Sequence, residues 1–425
     1  RHDEHEAQGR QRPLAGRAGR LGHRVRPAGG CRHDVIAPVT LVRMRAERLH
    51  GIAPTIFSEM SALALRTGSV NLGQGFPDRD GPPSVIARAV AALEGGANQY
   101  APGLGVPALR EAVARHQQCH YGLDLDPDSQ VVVTTGCTEA IAAALLGLVD
   151  PGDEVVVLEP YYDSYVAMLQ MAGGIRRPVT LRPPDFRLDA DELRAAVTPR
   201  TRFMLVNTPH NPTGTVLSRD ELAVVAEVAT THDLVVITDE VYEHLTFDGL
   251  THVPPSTLPG MRARTVRVGS AGKIFSLTGW KIGWIMGPAA LIGTISKIHQ
   301  FVTFTTSPAL QIGVAHGLDH EQDWYLALPR IFQARRDALV KGLTAAGFRT
   351  MPCEGTYFVT ADFGPLGVNE DDVAFAKRLT VRHGVTSIPL SVFYGADAPT
   401  RFVRFAFCKK QETIDAALSR LASKA

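Results

Sequence analysis

From Gln130 to about residue 318, short β-branched apolar runs alternate with longer segments whose apolar residues recur at helical spacing. That alternation predicts an α/β fold: a mostly parallel central sheet flanked by helices. The runs 131–134, 154–158, 203–207, 234–238 and 265–268 read as its strands. Ser218-Arg219-Asp220-Glu221 has the form of a capping box and marks a helix start before Leu222. The longest apolar run, 140–149, is half what a bilayer crossing requires and predicts a buried helix. Beyond about residue 318 the pattern changes to a helix, short strands at 356–360 and 402–407, and a terminal helix. This predicts a smaller α+β domain. The expected organisation is a leader over 1–43, an arm and part of the small domain over 44–80, a large domain over 81–318, and a small C-terminal domain over 319–425.

Composition changes this picture mainly at one end. A hydrophobic content of 45% and a charged content of 20% describe an ordinary globular chain. The net charge of +1 divides into +5 over residues 1–43 and −4 over the remainder, so the body is not built to hold a polyanion. The first 43 residues are rich in Arg, Gly, Pro and His and lack periodicity. They read as a disordered leader, or as a stretch translated ahead of a start at Met44. Asp3, Glu4, Glu6 and Asp34 do not suit a transit peptide. Five cysteines without a C-x-x-C pair predict neither disulfides nor a zinc site, and a cytoplasmic location. There is no His-Glu-x-x-His pair and no Gly-x-Ser-x-Gly elbow, so neither a metal enzyme nor a serine hydrolase is expected.

The chemistry collects at predicted strand ends. The chain has eight lysines against thirty-six arginines, and the first lysine is Lys273. It lies between an apolar strand and Phe275, a setting that depresses an amine pKa as a carbonyl-attacking lysine requires. Thr135-Gly136-Cys137-Thr138-Glu139 opens a helix directly after a strand, where free N–H groups and the helix dipole suit a phosphate. Ser270 and Lys281 could add a hydroxyl and a cation. Asp239 ends an apolar strand, where a buried carboxylate requires a cationic partner such as a protonated pyridine nitrogen. Tyr242 and Asn211 could bond a neighbouring phenolate oxygen. Lysine, carboxylate, phenol, amide and phosphate turn together describe one ligand, pyridoxal 5′-phosphate.

With those residues the chain resembles the class I/II aminotransferases among the fold-type-I pyridoxal-phosphate enzymes, from roughly Ile52 to the C-terminus. The resemblance is carried by Asn71-Leu72-Gly73-Gln74-Gly75-Phe76-Pro77-Asp78, Asn98-Gln99-Tyr100, Asn211-Pro212-Thr213-Gly214, Asp239-Glu240-Val241-Tyr242, Ser270-x-x-Lys273, Gly279-Trp280-Lys281 and Arg401-Phe402-Val403-Arg404-Phe405. Within the family it is most similar to the kynurenine/methionine aminotransferase group, and closer still to actinobacterial enzymes assigned as N-succinyldiaminopimelate aminotransferases. The resemblance implies that Lys273 carries the cofactor aldehyde and then shuttles the proton between substrate Cα and cofactor C4′. It implies that Asp239 keeps the pyridine nitrogen protonated, that Tyr242 and Asn211 bond the ring oxygen, and that Tyr162 stacks on the ring. Cys137, Thr138, Ser270 and Lys281 would hold the phosphate, with Tyr100 reaching in from the partner of a homodimer. Arg404 would pair with the substrate α-carboxylate, and Gly75 would leave room for the substrate backbone. Two positions depart from the family pattern. Lys281 stands where many relatives carry arginine, and Cys137 where glycine, serine or alanine is common.

The expected activity is transfer of an amino group between an L-amino acid and a 2-oxo acid, with N-succinyl-diaminopimelate and 2-oxoglutarate as one substrate pair. The alternatives are a kynurenine, methionine or glutamine aminotransferase and a carbon–sulfur β-lyase. A DNA-binding regulator is disfavoured, because residues 1–43 lack the periodicity of a helix-turn-helix. Neither nucleic acid nor membrane is expected as a partner. Phe57, Gln74, Tyr162 and Phe304 suggest a roomy, partly aromatic pocket.

Overall fold

The computed structural model describes residues 46–52 and 54–422, so the leader expected over 1–43 lies outside the described residues. Seven strands build the main sheet: β1 (Val131–Thr135), β2 (Glu154–Glu159), β3 (Ile175–Thr180), β4 (Thr201–Asn207), β5 (Val235–Asp239), β6 (Thr265–Ser270) and β7 (Ile282–Met286). Their order is β1-β7-β6-β5-β4-β2-β3. The neighbours from β6 to β3 are parallel, and β7 runs antiparallel to both β1 and β6. Strands such as β2, Glu-Val-Val-Val-Leu-Glu, are buried along their whole length. Unbroken apolar runs of this kind belong to parallel strands covered by helices on both faces.

The five expected strands are all present, with ends displaced by no more than two residues. Two strands of this sheet went unpredicted. β3, Ile-Arg-Arg-Pro-Val-Thr, tolerates its proline and arginines because it pairs on one side only, at the sheet edge. β7, Ile-Gly-Trp-Ile-Met, is separated from β6 only by the four-residue helix Ala271–Ile274 and a single turn at Thr278–Trp280, too short to read as a β–α alternation.

A second, antiparallel sheet has the order Ile388–Pro389, Phe402–Ala406, Phe358–Asp362, Arg349–Thr350. The long helix Gln322–Ala345 and the terminal helix Gln411–Ala422 flank it in sequence, as expected. The strand expected at 356–360 starts at Phe358, because Thr356 has φ +65°, a turn conformation that no strand residue adopts. Val70–Asn71 pairs in parallel with Val385–Thr386, tying the N-terminal arm to the late part of the chain. The capping box at Ser218 and Glu221 forms as predicted. Among the described residues no helix is long and apolar enough to cross a membrane.

Candidate active site

The carboxyl ends of β1, β4, β5 and β6 open onto a cavity of about 310 Å³, the usual ligand position in an open α/β sheet. Every expected site residue except Tyr100 lines it: Gly75, Cys137, Thr138, Tyr162, Asn211, Asp239, Tyr242, Ser270, Lys273, Lys281 and Arg404. Tyr100, expected in the partner's site rather than in this one, is 83% exposed and packs edge-on against Phe304. Phe57, Gln74 and Tyr162 line the cavity as expected, whereas Phe304 does not.

One end of the cavity suits an anion. The helix Gly136–Leu148 begins immediately after β1, so its first N–H groups have no intrahelical partner. Gly136 has φ +73°, and a Cβ there would lie 3.0 Å from Lys281 Nζ, so glycine lets the ammonium come close to the helix start. Ser270, the last residue of β6, adds its hydroxyl. The Cys137 thiol donates to the Gly269 carbonyl at 3.1 Å and is pushed up to about 12 by burial, so it is neither free nor a thiolate.

Asp239 closes β5 and is 6% exposed. Burial raises its pKa. It accepts hydrogen bonds from the Tyr165 hydroxyl and, at 3.2 Å, from the Val241 N–H, and among the described residues no guanidinium or imidazolium pairs with it. Tyr165, whose role the sequence hid as an ordinary buried helix aromatic, also packs edge-on against Tyr162 at 5.6 Å. Glu240, next along, turns away from the cavity. Burial opposes its charge, but the bidentate Arg267 and His252 hold its pKa down at about 2. Its neighbour Asp239 is the carboxylate left for chemistry. Tyr242 follows in a turn rather than a helix.

Lys273 sits in a four-residue helix after β6, and burial lowers its pKa. Its Nζ lies 2.7 Å from the Tyr357 hydroxyl, which in turn donates to the Gly75 carbonyl at 2.6 Å. Burial pushes the Tyr357 phenol well up, so it stays protonated and accepts from the ammonium. Tyr357 was missed because Gly355-Thr356-Tyr357-Phe358 reads as a core strand; the only signal was an aromatic with a polar tip in an apolar run. Tyr357→Phe removes an acceptor that favours the charged amine. The Lys273 pKa in the cofactor-free protein should therefore fall further, read as a lower NMR titration midpoint of the methylated lysine. Losing a hydrogen bond to a charged group of about 1.5–3 kcal/mol corresponds to a fall of roughly one to two pH units.

Arg404, from the strand Phe402–Ala406, is 1% exposed. Its Nη1 donates to Asn211 Oδ1 at 2.7 Å, its Nη2 to the Gly73 carbonyl at 3.1 Å, and its guanidinium stacks 3.8 Å above the Phe358 ring. Among the described residues Nε is buried without a partner, and no carboxylate pairs with the group. Asn211 spends its oxygen on Arg404, leaving its Nδ2 as the donor. A Cβ at Gly75 would meet Phe358 at 2.3 Å, so only glycine fits there. The site thus offers an anion cradle, an unpaired deep carboxylate, an amine and a buried cation awaiting a carboxylate. That donor set fits pyridoxal phosphate and an amino acid.

Comparison with known proteins agrees. The family model described as aminotransferase class I and II matches residues 67–421. The chain is 50% identical over 389 residues to the probable N-succinyldiaminopimelate aminotransferase of Mycobacterium tuberculosis, covering 89% of this chain and 98% of that one. It is 43% identical over 374 residues to the methionine aminotransferase of Escherichia coli, covering 88% and 97%. The solved structure of N-succinyldiaminopimelate aminotransferase from M. tuberculosis superposes with a TM-score of 0.88 at 50% identity, covering 90% of this chain and all of that one.

Proposed function

The chain belongs to the class I and II aminotransferases, and from that premise we propose how its residues work and on what. It is an enzyme of the transaminase type, and its family uses pyridoxal phosphate, which when bound supplies an aldehyde for the amino group and a ring that accepts electrons. In our reading the start of the helix Gly136–Leu148, with Ser270 and Lys281, binds the phosphate. Asp239 holds a proton at the ring nitrogen, Tyr242 and Asn211 orient the ring oxygen, and Tyr162 covers the ring. Arg404 holds the α-carboxylate, and Lys273 Nζ takes and returns the Cα proton. The observation that carries this reading is one cavity holding a lysine of lowered pKa between an anion cradle and a buried arginine without a carboxylate partner. We assign the cofactor to the large domain over 81–318, with 44–80 and 319–425 as the smaller part.

For the substrates we propose N-succinyl-diaminopimelate and 2-oxoglutarate. Support comes from 50% identity to the mycobacterial enzyme of that name. The test is kcat/KM across N-succinyl-diaminopimelate, methionine, kynurenine and glutamine with 2-oxoglutarate as acceptor. The highest value should fall on the first; a higher value for methionine or kynurenine would move the assignment to that donor. Pyruvate and a thiol released from cystathionine without any 2-oxo acid would instead mark a β-lyase. We further propose a cytoplasmic homodimer. Cys119, Cys137, Cys353 and Cys408 are unpaired, as a reducing compartment keeps them. Tyr100 at 83% exposure and Phe301 at 85% leave apolar surface for a second copy, whose cavity Tyr100 would complete. Sedimentation should give a dimer, and a fully active monomer would contradict it.

A further inference from the structure

Outside the catalytic cavity three imidazoles converge. His116 and His120 lie one turn apart on the helix Pro107–Tyr121, hence on one face. His244 comes from the turn after β5, two residues beyond Tyr242. The ring centroids are 4.6, 4.9 and 5.1 Å apart, a nearly equilateral triangle. One ligand nitrogen from each ring lies within 4.8 Å of the others. The Tyr325 ring lies beside all three, with its hydroxyl 3.2 Å from His120 Nε2.

We propose that His116, His120 and His244 bind a divalent first-row transition metal, zinc or an ion of similar chemistry, as a site separate from the aminotransferase centre. Three imidazoles on one point, with a tyrosine hydroxyl or a water in the fourth position, are a donor set for such ions. Burial lowers the pKa of each ring, so all three offer lone pairs rather than charges at neutral pH. A hydrogen-bonded histidine pair accounts for His116 Nε2 and His244 Nε2 at 2.7 Å, but it needs no third imidazole at the same separation. Metal–nitrogen bonds of about 2.0–2.1 Å in a tetrahedron set the nitrogens roughly 3.3 Å apart. The pair therefore opens by about half an ångström, and the proton between the two rings gives way to the ion. His116 then carries its hydrogen on Nδ1, against the Gln117 side chain 3.0 Å away, whose amide must turn from its present bond with Arg267. His116-Gln117-Gln118-Cys119-His120 has the spacing of a His-Glu-x-x-His pair but glutamine in place of the glutamate, and the site's third ligand comes from a distant segment.

The test uses full-length holoenzyme stripped of metal by a chelator, titrated with Zn²⁺ by calorimetry and with Co²⁺ by visible d–d absorption. The His-rich first 43 residues and the cofactor are present in every sample, so the site is read as a difference between variants. Wild type should bind one ion more than His120→Asn and His244→Gln, or bind it at least tenfold more tightly. Wild type alone should show the d–d bands of a tetrahedral nitrogen-rich site. His120 is only partly buried, so His120→Asn should keep its fold, and either variant with an unchanged circular dichroism spectrum is sufficient. Equal stoichiometry, affinity and cobalt spectra in wild type and a folded variant would overturn the proposal.

Discussion

Replacing Lys273 with alanine will lower kcat by on the order of 10⁴-fold, the upper end of what a positioned proton-transfer group contributes. Cofactor should stay in the cavity, held without a covalent bond by the helix start, Ser270, Lys281 and Asp239. In the wild type, borohydride reduction followed by peptide mass spectrometry should find cofactor on Lys273 and on none of the other seven lysines. The reasoning rests on position and protonation together. Burial lowers the Lys273 pKa, so at a given pH more of the amine is the free base than for an exposed lysine. Lys273 is a free amine only once substrate has displaced it, so raising the pH through that pKa should make the acid limb of kcat rise. Lys273→Arg makes the sharper control, because it keeps charge and length but cannot release a proton. It should be as inactive as alanine. Turnover surviving in the arginine variant would show that charge, not proton transfer, is what position 273 supplies.

The parts of this site that were legible in the sequence are those where burial and chemistry conflict. A carboxylate ending an apolar strand at Asp239, and a lysine beside an apolar strand at position 273, are costly unless used, so each stands out. Tyr165 and Tyr357 stayed hidden for the opposite reason. An aromatic in an apolar helix or strand costs nothing, and only the fold shows their hydroxyls against Asp239 and Lys273. Strands behaved alike. β1, β2, β4, β5 and β6 are apolar runs buried between helices, whereas β3 at the edge carries Arg176, Arg177 and Pro178 and loses the signal. Phe304 illustrates a limit of composition. Its aromatic ring suggested a pocket wall, but it packs on Tyr100 at the surface.

Arg404→Lys will cut kcat/KM by roughly 10²-fold for every amino donor and every 2-oxo acid alike. The guanidinium is buried, and its pKa is lowered to about 10 by that burial, so it remains a cation at neutral pH. Asn211 and the Gly73 carbonyl accept from it, but neither is charged, and Nε has no partner. A buried cation with only neutral acceptors is expensive until a carboxylate arrives. Lysine keeps the charge but cannot make the paired, planar contact or stack on Phe358. Breaking one side of a buried charged contact costs about 3 kcal/mol, and 1.4 kcal/mol corresponds to a tenfold change. Uniformity across substrates is the decisive feature. The α-carboxylate is common to all donors and acceptors, so a group that reads it must penalise methionine and N-succinyl-diaminopimelate equally. A loss confined to substrates with a second carboxylate would instead place Arg404 at the distal end, and the α-carboxylate would then need another cation.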